Sequence, residues 1–318
     1  MRTRRRVLLG TILGAILGAG ALLAVGGAAT SHPVDPSPLG VARSSSELER
    51  VIDQPGPVTV ETVAAADWEV DRDGLLDLRS PEAQRAGLRA GPEPIRIYLH
   101  ALHHPTEGLY LVDTGVEQKL GRDPASSAVG WFASRAMHAE KVQVHLDTAS
   151  WLQRQPQAVA GVLLTHLHVD HVMGIPDLAP MTPIYIGPGE ARQRSAMQLV
   201  TAPILDRELL GKPPLREWRF APDADGRFAG VLDVFGDGTV WALSVPGHTA
   251  GSTAYVVRTP TGPVLLAGDA CHTRWGWEHG VPPGSFSVDR EKGAESLRRL
   301  LGLVARHPST TVRLGHQD

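Results

Sequence analysis

The feature that most constrains this chain is an apolar run that leads directly into a cluster of histidines and one aspartate. Val159–Leu164 is short, partly β-branched and followed at once by polar residues, which is typical of a buried β-strand. The next residues are Thr165, His166, Leu167, His168, Val169, Asp170 and His171. Imidazole nitrogens and carboxylate oxygens are ligands that Zn²⁺ accepts, and a strand end holds side chains rigidly. The stretch therefore predicts a metal site on the loop that leaves a core strand.

Three more residues of the same chemical type follow predicted strands elsewhere in the chain. They are His248, Asp269 and His316, and each comes directly after a glycine. Glycine lets the backbone turn closely at a strand end. Taken singly, each of the three is typical of an ordinary loop. Together with the first cluster they make seven candidate ligands at strand ends.

A set of seven ligands favours two metal ions, because it exceeds what one tetrahedral ion uses. A carboxylate has two oxygens and can join two ions about 3.5–4 Å apart, as in binuclear hydrolytic sites. Such a pair supplies a hydroxide nucleophile at neutral pH without any Ser or Cys, and one ion polarises the substrate carbonyl. We expect Asp170, which is close to the nucleophile, to carry a proton to the leaving group.

The same segments resemble the metallo-β-lactamase superfamily and, within it, the N-acyl-homoserine-lactone lactonase-like hydrolases. The resemblance runs over most of residues 56–318 and follows the family's order of motifs. These motifs are His166-Leu167-His168-Val169-Asp170-His171, Pro246-Gly247-His248, Gly268-Asp269-Ala270 and Gly315-His316. The resemblance implies an α/β fold, the four-layer αβ/βα sandwich, with the site at one edge of two sheets. It also implies that His166, His168 and His248 hold one metal, that Asp170, His171 and His316 hold the other, and that Asp269 bridges them.

His272 is a departure from the lactonase pattern. That group usually carries a tyrosine three residues after the bridging aspartate, where it donates a hydrogen bond to the lactone carbonyl. An imidazole can donate similarly, but it titrates near neutrality. We therefore predict that His272 contacts the substrate, with an unrelated loop histidine as the alternative. Nearby, Cys271 is expected to be a small packed residue, while Trp275 and Trp277 either pack or form an apolar wall for an acyl chain.

The predicted function is a binuclear metal-dependent hydrolase that opens a lactone or a related ester by attack of a metal-bound hydroxide. Two Zn²⁺ are the expected cofactors, although a site of nitrogen and oxygen ligands also accepts iron, cobalt or manganese. A thioester hydrolase of the glyoxalase II type and a mononuclear iron dioxygenase of the same fold remain alternatives. A β-lactamase is disfavoured, because those enzymes generally lack a bridging carboxylate at the position of Asp269. A non-catalytic protein with structural metals would require a closed coordination shell.

The N-terminal residues differ from the rest of the chain. Residues 1–30 join a basic start to an apolar run of 23 residues, Val7–Ala29, which predicts a targeting or anchoring segment. Thr3–Leu8 resembles a twin-arginine export signal, but the run is also long enough to cross a bilayer as a helix. In both cases the domain would be extracytoplasmic, either secreted or anchored to the outer side of the cytoplasmic membrane. Residues 31–56, rich in Pro, Ser and charge, predict a linker before a catalytic domain at 57–318.

Composition narrows the class of partner. The net charge is −3 with both signs interspersed, and no basic block lies beyond the N-terminus, so we expect a small-molecule substrate and no nucleic acid. Cys271 is the only cysteine, which excludes an intrachain disulfide.

Three further local predictions bear on the site. Asp113 follows the predicted strand Gly108–Val112, and is either a turn cap or an acceptor that orients a ligand histidine. Glu190–Leu199 predicts a helix. The proline-rich stretch Thr201–Arg227 predicts a loop or cap over one face of the domain.

Overall fold

The computed structural model describes residues 28–131, 135, 139–195 and 198–317. The signal or anchor predicted for residues 1–30 therefore lies almost entirely outside the described residues. Within the described ranges, none of the helices combines the length and the apolar character that a bilayer crossing requires. The strands are β1 (Val34–Pro36), β2 (Val41–Arg43), β3 (Thr59–Asp71), β4 (Pro92–His104), β5 (Gly108–Val112), β6 (Gln143–Val144), β7 (Val159–Leu163), β8 (Ile184–Ile186), β9 (Leu215–Glu217), β10 (Val231–Asp233), β11 (Val240–Ser244), β12 (Thr253–Thr259), β13 (Gly262–Leu266) and β14 (Thr311–Arg313). The α-helices are α1 (Ser45–Val51), α2 (Arg72–Leu75), α3 (Pro81–Arg85), α4 (Gln118–Arg122), α5 (Thr148–Leu152), α6 (Val169–Val172), α7 (Gln198–Glu208), α8 (Arg274–His279) and α9 (Arg290–Arg306).

The strands form two sheets. In the described part of the chain, the larger sheet has the order β1-β9-β8-β7-β5-β4-β3-β6, and β5, β7, β8 and β9 run parallel. The smaller sheet has the order β14-β13-β12-β11-β10-β2. Its strands β11 and β13 both pair antiparallel with β12, and β14 is parallel to β13, so these three strands end on the same side. Each sheet therefore has one edge at which several strands reach their carboxyl ends.

Alternating apolar residues explain how the two sheets pack. One face of each sheet contributes to a shared core, with Leu102 and Leu163 from the larger sheet and Leu232 and Val257 from the smaller one. The other face of the larger sheet packs against α5, α6 and α7, and that of the smaller sheet against α1 and α9. The four layers therefore follow the order helices, larger sheet, smaller sheet, helices. The predicted four-layer αβ/βα sandwich is confirmed.

The linker predicted for residues 31–56 is wrong, because this segment belongs to the folded body. β1 pairs in parallel with β9, and β2 pairs antiparallel with β10. α1 begins with a capping box, in which Ser44 Oγ accepts from the Glu47 backbone and the Glu47 carboxylate accepts from the Ser44 backbone. Serine and proline, which suggested a linker, serve here as a helix cap and as edge-strand residues such as Pro36.

In its described part the helix predicted at Glu190–Leu199 is wrong, and Thr201–Arg227, predicted as a loop or a cap, contains regular structure that covers one face of the larger sheet. Turns occupy residues 190–192, α7 runs over Gln198–Glu208, and β9 adds a strand to the larger sheet. Pro203 lies inside α7, yet Ile204 and Leu205 are buried. Burial of this apolar face outweighs the cost of an internal proline, which local propensity alone does not reveal.

Candidate metal centre

The predicted ligands come from segments that leave the carboxyl ends of strands in both sheets. Residues 164–171 follow β7, and His248, Asp269 and His316 follow β11, β13 and β14. These strands run in matching directions within their sheets, so their ends meet at one edge of the sandwich. All seven predicted ligands belong to clusters in which the ligand atoms lie within 4.8 Å of one another.

The first cluster contains His166, His168, His248 and Asp269. His248 Nε2 lies 2.8 Å from His168 Nδ1 and 3.1 Å from His166 Nε2. Asp269 Oδ2 lies 3.3 Å from His248 Nε2 and 3.6 Å from His166 Nε2. Ligands on a tetrahedral zinc with bonds of about 2.0–2.1 Å lie about 3.3 Å apart. The spacing of these atoms matches one such ion.

The second cluster contains Asp170, His171 and His316. Asp170 Oδ2 lies 3.3 Å from His316 Nε2 and 3.9 Å from His171 Nε2. Asp269 Oδ2 lies 3.4 Å from the Nε2 atoms of both histidines. One oxygen of Asp269 therefore contacts imidazoles of both clusters, which is the position that a bridging ligand needs.

Buried polar atoms without partners indicate what the centre is built to hold. Asp269 Oδ1 and His171 Nε2 make no hydrogen bond to any described residue, and both side chains are buried. An unpaired buried polar group costs free energy, so such atoms call for a partner. A cation beside them would satisfy both, because each presents a lone pair. The residues present therefore fit a pair of metal ions.

The pKa values at the centre follow from burial and from neighbouring charges. Burial lowers the pKa of His166 and His248 well below the usual value and that of His168 to about 4, so these imidazoles stay neutral and keep lone pairs for a metal. Burial alone would raise the pKa of Asp269, but His316, His272 and His171 hold it well below its usual range. Burial alone would lower the pKa of His171 and His316, but the charge of Asp269 raises the first well above its usual value and the second to about 10. Neutral imidazoles on one side of Asp269 and protonated ones on the other are the donor set from which a divalent cation displaces protons.

Asp113 orients one of the ligands. It has a positive φ of 57°, and its Oδ2 accepts a hydrogen bond from His171 Nδ1 at 2.8 Å. Its Oδ1 accepts from the Thr165 backbone N–H, also at 2.8 Å. The proton on Nδ1 leaves Nε2 of His171 with its lone pair toward the centre. Of the two alternatives for Asp113, the structure confirms the orienting acceptor.

Other supports for the ligands were not found by sequence reasoning. Glu190 is buried, and its carboxylate accepts from the backbone N–H groups of Leu167 and Gly251, which ties the ligand loop to the segment after His248. His316 Nδ1 donates to the carbonyl of Arg96 at 2.9 Å. These partners are distant in sequence from the residues that they support. A backbone carbonyl is present in every residue, so residue type does not show which carbonyl accepts the hydrogen bond.

Gly315 is needed because the bridging carboxylate occupies the space beside it. A Cβ atom at this position would lie 2.0 Å from Asp269 Oδ1. Real Cβ atoms do not approach so closely, so any larger residue would displace the carboxylate. The glycine before His316 therefore makes room for Asp269, in addition to the turn that the sequence suggested.

An apolar cavity of about 140 Å³ lies in front of the centre. Part of its lining is the ligand set: His168, Asp170, His248, Asp269 and His316, with His272 beside them. The rest of the lining is Trp68, Val70, Leu75, Ile95, Val169, Thr201 and Phe286. The sequence did not single out these apolar residues, because a cavity wall and a core carry the same residue types.

The aromatic pair after the bridging aspartate does not line this cavity. Trp275 stacks on His279 with ring centroids 4.2 Å apart, and Trp277 packs against the core under the smaller sheet. Packing, one of the two alternatives for this pair, is therefore what the structure shows. Cys271 is buried, and burial raises the pKa of its thiol to about 12, which confirms it as a packed residue.

His272 lies in the cavity wall beside the bridging carboxylate. Its side chain is fully buried, Nδ1 lies 3.0 Å from the carbonyl oxygen of Leu75, and Nε2 lies 3.1 Å from Asp269 Oδ2. The ring is therefore part of the centre, not of a solvent-exposed loop.

Two facing sheets between helical layers, with a buried histidine and aspartate centre at the strand ends, define an αβ/βα metalloprotein. A model of the metallo-beta-lactamase superfamily matches residues 90–316, which is more than half of the chain. The chain belongs to the metallo-beta-lactamase superfamily.

Relatives within the superfamily agree with the predicted subgroup. The N-acyl homoserine lactonase AttM of Agrobacterium fabrum is 29% identical over 230 residues, which cover 70% of this chain and 81% of that protein. A solved quorum-quenching N-acyl homoserine lactone lactonase superposes with a TM-score of 0.57 at 20% identity, covering 83% of this chain and 94% of the other. AidC, a dizinc quorum-quenching lactonase, superposes at 0.52 with 14% identity, covering 88% and 91%. The predicted resemblance and the assignment to hydrolytic enzymes are confirmed.

Proposed function

We propose that the protein hydrolyses a lactone or a related ester with water activated at the histidine and aspartate centre. The observation that carries the proposal is the position of Asp269. Its Oδ2 lies within 3.6 Å of imidazole nitrogens from both ligand clusters, beside an apolar cavity. Two divalent ions held in these clusters would supply an activated water and a Lewis acid for a carbonyl oxygen.

The protein's own residues divide the work between holding and proton transfer. Asp269 and four of the five ligand histidines are buried, and His168 is partly buried. Because burial restricts these side chains, they hold the centre in one geometry. Asp170 differs, because 18% of its side chain is exposed against 3% for Asp269, and it lines the cavity. Asp170 is therefore the more accessible of the two carboxylates for a leaving alkoxide, and we assign to it the transfer of the proton.

The cavity supports an acyl-bearing substrate. Its lining away from the ligands is mostly apolar and includes Trp68, Leu75, Ile95 and Phe286. Burial of a hydrocarbon chain against such a wall contributes about 0.8 kcal/mol for each CH₂. Together with the names of the lactonase relatives, this favours an acylated lactone as substrate.

A substrate panel tests the proposal. Acyl-homoserine lactones of several chain lengths, aryl esters, thioesters and β-lactams are offered to the purified enzyme, with the His168→Ala variant as the blank. We expect hydrolysis of the lactones that depends on His168, with about two equivalents of zinc or another divalent ion bound. Preference for thioesters would favour a glyoxalase II-type function. One iron with consumption of oxygen would replace the proposal with a dioxygenase.

We further propose that the folded domain acts outside the cytoplasm. The basis is the basic and apolar sequence of residues 1–30, with paired arginines at Arg4 and Arg5. Fractionation of cells that express the full chain should place the activity outside the cytoplasm, and an Arg4→Lys, Arg5→Lys double variant should retain it inside. N-terminal sequencing of the exported protein then distinguishes a cleaved signal from an anchor. An unchanged location in the double variant would contradict the twin-arginine route.

A further inference from the structure

The orientation of the His272 ring determines what it can do at the centre. Its Nδ1 lies 3.0 Å from the carbonyl oxygen of Leu75, and a carbonyl only accepts hydrogen bonds. Nδ1 therefore carries a proton, and Nε2 is the nitrogen left to present a lone pair to a cation. This lone pair cannot donate a hydrogen bond to a substrate carbonyl.

The atom that Nε2 faces is also an acceptor. Asp269 Oδ2 lies 3.1 Å away, and Nε2 makes no hydrogen bond to any described residue. Two buried acceptors in contact are unfavourable unless a cation lies beside both. The side chains of both residues are at most 3% exposed, so bulk water does not screen the contact.

His272 lies beside Asp269 and beside His316, which is a member of the second ligand cluster. The ligand atoms of His272, Asp269 and His316 lie within 4.8 Å of one another, and His316 Nε2 lies 3.4 Å from the same carboxylate oxygen. The His272 and His316 rings are nearly parallel, with an interplanar angle of 6°. Ligands that share one ion with bonds of about 2.1 Å lie about 3–4 Å apart.

We propose that His272 is a further metal ligand, on the ion that Asp170, His171 and His316 hold. This inference rests on the proposed two-metal centre and replaces the substrate contact predicted from the sequence. With Asp269, that ion would then have five protein ligands. Such a site favours an ion that accepts five or six ligands, such as iron, cobalt or manganese, over tetrahedral zinc.

Metal binding tests this role independently of turnover. The His272→Ala and His272→Tyr variants are compared with wild type by chelator competition, with bound metal counted by elemental analysis. His279→Ala is the matched control, because His279 is an exposed imidazole that contacts Trp275 and lies outside the centre. We expect one of the two ions to bind at least about 10–100-fold more weakly in both His272 variants, since loss of a residue that only orients a metal ligand already has that cost. The control should match wild type.

Two further measurements distinguish loss of a ligand from misfolding. They also distinguish failure of this inference from failure of the proposed function. The cobalt-loaded wild type should give a crystal structure with His272 Nε2 about 2.0–2.2 Å from the second ion. The cobalt absorption spectrum should change in His272→Ala and not in His279→Ala. A loaded wild type with His272 Nε2 more than 3 Å from both ions, or a His272→Ala variant with unchanged metal affinity, overturns the inference. If wild type binds two ions through His272 but hydrolyses no member of the panel, the proposed function fails and the ligand role stands.

Discussion

Replacement of Asp113 by asparagine tests how the centre is positioned without removal of a ligand. Asp113 is buried, and its two oxygens accept from His171 Nδ1 and from the Thr165 backbone N–H, each at 2.8 Å. Asparagine tolerates the positive φ of this residue about as well as aspartate does. The substitution therefore changes one oxygen into an NH₂ group and leaves the backbone as it is.

The magnitude follows from the hydrogen bond that asparagine cannot make. If its oxygen keeps the Thr165 contact, its NH₂ group faces the N–H of His171, and two donors oppose each other. The ring must then move its proton to Nε2, the atom that faces the metal, or rotate away. A hydrogen bond to a charged group is worth about 1.5–3 kcal/mol, and loss of such a support lowers metal affinity about 10–100-fold. The two magnitudes agree, since 1.4 kcal/mol corresponds to a factor of about 10.

Chelator competition on purified Asp113→Asn measures this loss, with kcat on the best lactone as a second readout. Asp147→Asn is the matched control, because Asp147 caps α5 through the Ser150 N–H and asparagine caps helices equally well. We expect weaker metal binding in Asp113→Asn and an unchanged metal affinity in Asp147→Asn. Metal affinity within twofold of wild type in Asp113→Asn would refute the argument that this carboxylate holds His171 in its productive tautomer.

Three other substitutions or reagents probe the same structure. Gly315→Ala should abolish binding of at least one ion, because its Cβ would lie 2.0 Å from Asp269 Oδ1, whereas Gly302→Ala in α9 should leave metal content unchanged. Burial raises the pKa of Glu208 well above 4.5. The free energy of unfolding that depends on this carboxyl is therefore fully present below pH 4.5, where Glu208 is protonated, and decreases as the pH rises and Glu208 ionises. Glu208→Gln should therefore increase the free energy of unfolding at neutral pH by about 1–3 kcal/mol, which raises the Tm by several degrees. Near pH 4.5 the substitution should change the Tm little. Cys271, with its pKa raised to about 12, should resist alkylation at neutral pH until the protein unfolds; rapid labelling of the native protein would contradict its packed position.

Much of the fold could be predicted from local pattern. β5 has the predicted bounds, and β7 ends one residue before the predicted Leu164. Short apolar runs between polar residues carry this information because a buried strand needs several consecutive apolar side chains. The sequence did not predict the N-terminal strands β1 and β2 or the helix α7, because these elements depend on partners distant in sequence.

The candidate ligands belong to what the sequence alone determined. Histidine and aspartate after short strands and glycines identify themselves by residue type, so all seven candidates could be named before the structure. Asp113 was recognised as one of two alternatives for the same reason.

Only the tertiary structure decided the surroundings of those ligands. Most of the apolar cavity wall, the Glu190 carboxylate and the carbonyl of Leu75 come from segments outside the ligand loop, and Leu75 and His272 are 197 residues apart. Residue type predicted that His272 could donate a hydrogen bond to a substrate, whereas the fold places its Nδ1 against the carbonyl of Leu75 and its Nε2 beside Asp269. A ring with two nitrogens takes its chemistry from whichever partner folding places against it, and sequence does not record that partner.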